Sequence, residues 1–116
     1  TMNVSELVKT FGFDVFSGEE GLDRSISGGY ASDLLSDVMG NAREGQVWVT
    51  LQTHKNVMAI ASLKDLAAVI LIKGNKPDED TLKQSNEEGV PVLGTDKETF
   101  EIVGELYKYF VEHEIV

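Results

Sequence analysis

A continuous apolar run at residues 67–72 (Ala-Ala-Val-Ile-Leu-Ile) places the strongest constraint on how this chain folds. Such a run fits a strand that is covered on both faces, as strands in parallel sheets are. The segments around it alternate between strand and helix patterns at short spacing, which is typical of parallel βαβ units. We therefore predict an α/β fold, a three-layer α/β/α domain with a mostly parallel sheet of four to five strands.

Local patterns predict where the strands and helices lie. Strands are expected at residues 14–17, 25–27, 46–52, 67–72 and 90–93, and the first of them could run antiparallel to the others. Helices are expected at 3–11, from Ser32 or Asp33 to about 41, at 56–66, at 77–88, and after a Thr95-x-x-Glu98 capping box. Two helices are expected to bury apolar stripes, namely Leu34, Leu35, Val38 and Met39, and Phe100, Val103, Leu106, Tyr107 and Phe110.

The charge of the chain argues against a nucleic-acid partner. Twenty acidic and 10 basic residues give a formal net charge of −10 at pH 7, and the basic residues are scattered. Nucleic-acid binding needs a basic footprint that releases counterions from the phosphates. We expect no binding to nucleic acid and a soluble, acidic surface.

The length of 116 residues fits one domain, expected to span residues 1–116. No apolar run of about 18 residues is present, so we expect no membrane span. The chain has no cysteine, which excludes a disulfide framework and a thiolate metal site. We expect a cytoplasmic protein whose natural start is Met2, with Thr1 as an addition.

Residues 23–40 carry the most specific local pattern. A short β-type run meets Gly28-Gly29, and helical apolar spacing follows. Glycine allows a positive φ and a close approach of a ligand, and a helix that begins there exposes free N–H groups. The glycine pair could therefore cradle a phosphate or carboxylate. Alternatively, one glycine makes a left-handed turn and the other permits close helix–sheet packing.

Polar loops are expected to meet where the parallel strands end. Ligands of open parallel sheets usually bind outside the carboxyl ends of the strands. The segments 27–32, 50–56, 73–75 and 94–95 should reach this edge, and each is small or polar. The candidate ligand-binding residues are Arg24, Ser27, Gly28, Gly29, Ser32, Asp33, Thr50, Gln52, His54, Asn56, Gly74 and Thr95.

Two of these candidates have clear alternatives to ligand binding. Arg24 could donate forked hydrogen bonds to an anion, or it could pair with Asp23 or with a C-terminal carbonyl. His54 could bind a ligand or act as an acid or base, or else His54 or Asn56 caps the next helix.

An enzyme of the transferase or hydrolase type would use His54 with Ser32 or Asp33. No nucleophile elbow surrounds Ser32, and adjacent Ser and Asp are better interpreted as a helix cap. A GxxxxGK[ST] phosphate loop is absent. The two histidines, His54 and His113, are far apart in the chain, so no metal site or other cofactor is expected.

The last helix carries more apolar residues than one buried face needs. Tyr107, Tyr109 and Phe110 lie close together, with Val111 and residues 115–116 behind them. Such a surplus is compatible with dimerisation. It is also compatible with simple burial against the sheet, with Tyr109 partly exposed.

Residues 23–36 (DRSISGGYASDLLS) resemble the motif of the DRTGG domain family, with Ser27 in place of its threonine. The similarity covers most of the chain, roughly residues 22–110. It continues through residues 47–52, His54, residues 56–57, 68–74, 94–95 and 99–100.

The resemblance implies an α/β fold and a regulatory or assembly role beside a catalytic domain, often with self-association. DRTGG domains are similar to the N-terminal domain of HPr kinase/phosphorylase, and they occur in phosphotransacetylases and in pyrophosphatases with CBS domains. The resemblance does not imply kinase activity. We expect a non-catalytic, homodimeric module that binds a small anionic ligand, such as a nucleotide or phosphate, or a partner enzyme. The alternatives are the small enzyme described above and a purely structural dimerisation domain.

Overall fold

The computed structural model describes residues 1–116. It contains five helices, five strands and one short 3₁₀ turn at Glu19–Gly21. In chain order the elements are α1 (Val4–Phe11), β1 (Asp14–Ser17), β2 (Gly28–Ala31), α2 (Leu35–Asn41), β3 (Gln46–Thr50), α3 (Asn56–Leu63), β4 (Ala68–Leu71), α4 (Glu79–Glu88), β5 (Val92–Gly94) and α5 (Thr99–Glu112).

The five strands form one sheet in the order β1-β5-β4-β3-β2. Strands β2 to β5 are parallel to their neighbours, and β1 pairs antiparallel with β5. Every residue of β4 is buried, as the apolar run predicts. The predicted α/β class, the number of strands and their mostly parallel arrangement are confirmed.

Helices cover both faces of the sheet. In β3, Val47 and Val49 pack in one cluster with residues of α1 and α5, whereas Trp48 packs in a second cluster with residues of α2 and α3. Helix α4 lies beside α3. The alternation of side chains along β3 therefore produces the three layers. No helix is long and apolar enough to cross a bilayer.

Several predicted helix ends are confirmed by their capping geometry. The Asn3 side chain accepts a hydrogen bond of 3.0 Å from the backbone N–H of Glu6. Gly12 ends α1 and Gly89 ends α4, both in the left-handed conformation, with φ of 68° and 65°. Glycine adopts this conformation with little strain, so it commonly follows a helix.

The Gly28-Gly29 pair corrects the predicted turn, because it lies inside β2. The strand expected at residues 25–27 is displaced to Gly28–Ala31 at the edge of the sheet. A Cβ added to Gly29 would lie 3.6 Å from the Phe110 ring, an ordinary van der Waals contact, so this position of the strand packs directly under α5. No helix begins directly after the glycines.

Two predicted helix starts are also wrong. Helix α2 begins at Leu35 without a side-chain cap, because Asp33 instead accepts hydrogen bonds from the end of β3. Helix α5 begins at Thr99, and no capping box forms at Thr95. Backbone hydrogen bonds from Lys73 and Gly74 to residues 97 and 95 hold that segment as a loop.

Two residues of each predicted apolar stripe are exposed. Phe100 is 95% exposed and Tyr107 is 65% exposed, while Ile102 is fully buried in their place. On α2, Val38 is buried, but Leu34 and Met39 face solvent. The sheet covers only one side of each helix, so these additional apolar residues have no partner within the chain.

Gly12 and Gly18 have similar φ values, so alanine substitutions at the two positions distinguish the effect of backbone strain from the effect of close packing. Gly12 (φ 68°) has open space where a Cβ would lie, whereas a Cβ on Gly18 (φ 72°) would stand 2.5 Å from the carbonyl oxygen of Val90. We expect Gly12→Ala to lower the free energy of unfolding by about 1–2 kcal/mol. Gly18→Ala should lower it by at least about 3 kcal/mol, since overpacking adds to the strain. Urea unfolding measures both, and equal losses would contradict the packing argument.

Candidate functional site

The carboxyl ends of the four parallel strands lie along one edge of the sheet, called here the carboxyl edge. Ala31, Thr50, Leu71 and Gly94 end β2, β3, β4 and β5 in neighbouring register. The loops that follow bring eight of the candidate residues to this edge. They are Ser32, Asp33, Thr50, Gln52, His54, Asn56, Gly74 and Thr95.

The other four candidates do not join them. Arg24 and Ser27 lie at the opposite, amino edge, where β3, β4 and β5 begin, and Gly28 starts β2 at that edge. Gly29 is the second residue of β2. The expected arrival of the whole segment 27–32 at the carboxyl edge is therefore wrong, because an extended strand carries its two ends to opposite sides of the sheet.

Arg24 ties three segments together at the amino edge. Its Nε donates a hydrogen bond of 2.9 Å to the carbonyl oxygen of Gly89, the residue that ends α4. Its Nη1 donates to Asp65 Oδ1 at 3.1 Å and to the Leu66 carbonyl at 3.4 Å. The Gly89 carbonyl lies at the C-terminal end of α4, so this bond matches one of the two alternatives to anion binding that were predicted for Arg24.

Ser27 and its neighbours line a second amino-edge feature, a cavity of about 330 Å³ next to Arg24. The Ser27 hydroxyl donates a hydrogen bond of 2.7 Å to the Glu44 carbonyl. Glu44 and Asp65 also line this cavity. Two carboxylates beside one arginine make the cavity unfavourable for an anion.

Asp33 connects the loops after β2 and β3. Its Oδ1 accepts hydrogen bonds from the Thr50 hydroxyl at 2.8 Å and from the Leu51 backbone N–H at 2.7 Å. The Gln52 side-chain amide donates to the Asp33 carbonyl at 2.9 Å. These bonds fix the beginning of the 51–56 loop at the carboxyl edge.

His54 is exposed, and its Nδ1 accepts a hydrogen bond of 3.3 Å from the Asn56 backbone N–H at the start of α3. Nε2 forms no hydrogen bond within the chain. No hydrogen bond joins His54 to Ser32, whose hydroxyl accepts from the Leu34 N–H, or to Asp33. The contact between nucleophile and base that characterises a serine hydrolase is therefore missing.

The loops after β4 and β5 are held side by side. The Lys73 backbone N–H donates to the Lys97 carbonyl at 2.9 Å, and the Gly74 N–H donates to the Thr95 carbonyl at 3.0 Å. Both Lys73 and Gly74 have positive φ, 57° and 70°. This geometry keeps Gly74 and Thr95 adjacent at the carboxyl edge.

Lysines in these loops were not predicted as site residues. Four of the 10 basic residues stand in the loops after β3, β4 and β5, namely Lys55, Lys73, Lys76 and Lys97. Lys97 pairs with Glu105, which raises its pKa, while the other three form no ion pair. These lysines follow the predicted strands within a few residues, and this position in the sequence could have identified them as site residues.

Tyr30 and Asp37 form a further pair that sequence reasoning missed. The Tyr30 hydroxyl donates a hydrogen bond of 2.9 Å to Asp37 Oδ2, and Asn41 donates to the same carboxylate. The bond from Tyr30 lowers the pKa of Asp37 and in turn raises the pKa of Tyr30. It joins β2 to α2.

No group of three or more His, Cys, Asp or Glu side chains is arranged to hold a metal ion.

A parallel α/β domain with an open, polar carboxyl edge is thus the class that this geometry defines. The model of the DRTGG domain matches residues 6–109, which is most of the chain. The chain belongs to the DRTGG domain family. The resemblance found in the sequence is confirmed.

Among solved structures, the chain is similar to the CBS and DRTGG domains of the regulatory region of a Clostridium perfringens pyrophosphatase, complexed with the activator diadenosine tetraphosphate. The TM-score is 0.66 at 12% sequence identity, a likeness in fold. The match covers 90% of this chain and 45% of that one, so the chain spans less than half of that regulatory region. Comparison with curated proteins gave no match.

The Tyr30–Asp37 bond makes a pH-dependent contribution to stability. Because the pKa of Asp37 is lowered in the folded protein, this contribution is complete above the ordinary value of 3.8 and is lost as the pH falls through the folded value. We expect Tyr30→Phe to lower the free energy of unfolding at pH 7 and to change it much less near about pH 2.

Urea unfolding at the two pH values measures this difference. Tyr109→Phe is the matched control, because the Tyr109 hydroxyl bonds to the neutral Thr10 hydroxyl. This substitution should change the free energy of unfolding equally at the two pH values. A loss caused by Tyr30→Phe that is equal at both pH values would contradict the assignment.

Proposed function

We propose that this chain is a non-catalytic regulatory module that binds a small anionic ligand, a nucleotide or phosphate, at the carboxyl edge, and that self-associates as a homodimer. The ligand-bound module would act on a partner enzyme. The observation that carries the proposal is the group of three lysines without ion pairs, Lys55, Lys73 and Lys76, in the loops of this edge.

The distribution of charge favours an anion at this edge. The whole chain has a net charge of −10, with twice as many acidic as basic residues. The loops after β2 to β5 contain four lysines, Lys55, Lys73, Lys76 and Lys97, against four acidic residues, Asp33, Asp78, Asp96 and Glu98. The net charge of these loops is therefore zero, whereas the whole chain is strongly negative. An anion is repelled less at these loops than elsewhere on the surface.

Neutral hydrogen-bonding groups complete the proposed site. His54 Nε2 is free, and Asn56 is exposed beside it. Gln52 and Thr95 contribute further polar groups from the neighbouring loops. We propose Ser32, Gln52, His54, Asn56, Gly74 and Thr95 as the ligand-binding set, with the three lysines added; Thr50 is buried and donates its hydroxyl to Asp33, so it supports the site without contacting the ligand. Asp33 serves this site by positioning the 51–56 loop.

The family and the fold support the regulatory part of the proposal. The structurally similar protein is the regulatory region of a pyrophosphatase, and its activator is a dinucleotide polyphosphate. A ligand with several phosphates fits lysines that are spread over two loops, because each ammonium group can meet a different phosphate. We therefore favour a nucleotide over a single phosphate.

A screen of ligands by thermal shift tests the binding. ATP, diadenosine tetraphosphate and inorganic phosphate are the probes. A ligand held at about 100 times its Kd stabilises the folded protein by about 2.7 kcal/mol. For a domain of this size we expect an increase in Tm of roughly 10 °C.

The double variant Lys55→Gln/Lys73→Gln should weaken the binding at least about tenfold, since it removes two charge-assisted contacts. Lys9→Gln/Lys64→Gln changes the net charge equally, in α1 and at the end of α3, and should leave the affinity nearly unchanged. No stabilisation by any probe would reject the ligand and leave a structural dimerisation domain. Equal losses in the two double variants would reject the carboxyl edge as the site.

A further inference from the structure

One side of α5 presents apolar residues that nothing in the chain covers. Phe100, Tyr107 and Val111 are 95%, 65% and 47% exposed, and Val103 is half-buried beside them. Together with Gly104 they recur at the spacing of one helix face. We call this surface the α5 stripe, defined as Phe100, Val103, Gly104, Tyr107 and Val111.

The α5 stripe continues into an apolar groove between α5 and the edge strand β2. The groove has a volume of about 140 Å³. Val103 and Tyr107 belong to both surfaces, and the small residues Gly29 and Ala31 form the opposite wall. A cavity of about 150 Å³ lined by apolar side chains is large enough for a benzene ring. The groove therefore matches the size of one phenyl group.

Gly104 indicates that another backbone approaches the stripe. A glycine in the middle of a helix costs about 1 kcal/mol relative to alanine. A Cβ at Gly104 would meet no atom within 4 Å, so packing inside this chain gives no reason for the glycine. A helix packed across the stripe would give one, because the absent side chain permits close contact between helices.

We propose that the occupant is a second copy of this chain, packed with its α5 antiparallel to the first and with the two-fold axis between Val103 and Gly104. This proposal rests on the self-association proposed above and adds the surface that mediates it. Residues equally distant from the axis then meet. Phe100 lies against the second copy's Tyr107, and Val103 lies against the second copy's Gly104.

The antiparallel arrangement also pairs opposite charges. Glu101 and Lys108 flank the α5 stripe on the same side, and neither forms an ion pair within the chain. Around the proposed axis, Glu101 and Lys108 of the second copy lie on the same flank, offset by about 3 Å along the helices, which their long side chains can span; the pair occurs twice. In a parallel two-fold pair, opposite flanks of the stripe meet, so Glu101 would not face Lys108 of the second copy.

The groove receives Phe100 in this arrangement. The Phe100 ring meets Tyr107 of the second copy, and Tyr107 forms part of the groove wall. Each copy would thus fill the other's groove with one phenyl ring. The most exposed aromatic side chain of the chain and its apolar groove would be buried by the same contact.

Sedimentation equilibrium of the wild type and of Phe100→Asp tests the interface. We expect a wild-type dimer and a Phe100→Asp variant whose dimer dissociation constant is raised at least about 100-fold, because a central aromatic residue is removed from both copies. Circular dichroism should show an intact fold, since Phe100 makes almost no contact within the chain. Leu63→Asp is the matched control, because Leu63 is 71% exposed but lies on α3, across the sheet; it should leave the dimer unchanged.

Charge exchange provides a second test that does not depend on apolar packing. Glu101→Lys alone and Lys108→Glu alone should each weaken the dimer roughly tenfold, since each creates two like-charge contacts. The double variant Glu101→Lys/Lys108→Glu restores opposite charges and should recover the wild-type constant.

The outcomes separate the interface from the proposed function. A monomeric wild type would overturn this interface and the homodimer together, and it would leave a helix from another protein as the occupant of the stripe. A wild-type dimer that resists Phe100→Asp, or that responds equally to Leu63→Asp, would overturn the α5 interface alone. If the double charge variant does not recover the wild-type dimer dissociation constant, the antiparallel arrangement is overturned.

Discussion

Burial of the central strands on both faces is the constraint on which the rest of this structure depends. Strand β4 is buried at every position, and β3 directs Val47 and Val49 to one layer of helices and Trp48 to the other. Polar groups can then accumulate only along the two edges of the sheet. The buried Trp48 indole also fixes part of one edge, because its N–H donates a 2.8 Å hydrogen bond to the Ser32 carbonyl.

The two edges have different chemistry. At the amino edge the ionic and hydroxyl groups of Arg24 and Ser27 are used by the fold itself, in bonds to Gly89 and Glu44. At the carboxyl edge the bonds of Asp33 hold the backbone in place, while Lys55, Lys73 and Lys76 form no ion pair. We infer that the first part of the family motif maintains the fold, whereas its last residues help to build the proposed binding edge.

Much of the fold follows from local patterns, and the errors occur where contacts distant in sequence decide. The buried run of β4 and the caps at Asn3, Gly12 and Gly89 act within a few residues, so the sequence reveals them. Gly28 and Gly29 looked like a turn because the pairing that makes them part of a strand is with Gln46 and Val47, 18 residues away. The exposure of Phe100 was equally hidden, because periodicity finds apolar faces without showing which one the sheet covers. Eight of the 12 candidate residues reach the carboxyl edge and four do not, because only the topology shows which end of β2 each residue occupies.

Mapping of ligand contacts by amide NMR tests the central claim most directly. Titration of the ¹⁵N-labelled protein with diadenosine tetraphosphate should shift amide resonances of the carboxyl-edge loops, at residues 51–56, 72–76 and 95–98. The amides near Arg24, Ser27 and Gly45 should remain unchanged. Shifts concentrated at the amino edge would contradict the account, because they would place the anion where Arg24 is already bonded to the fold.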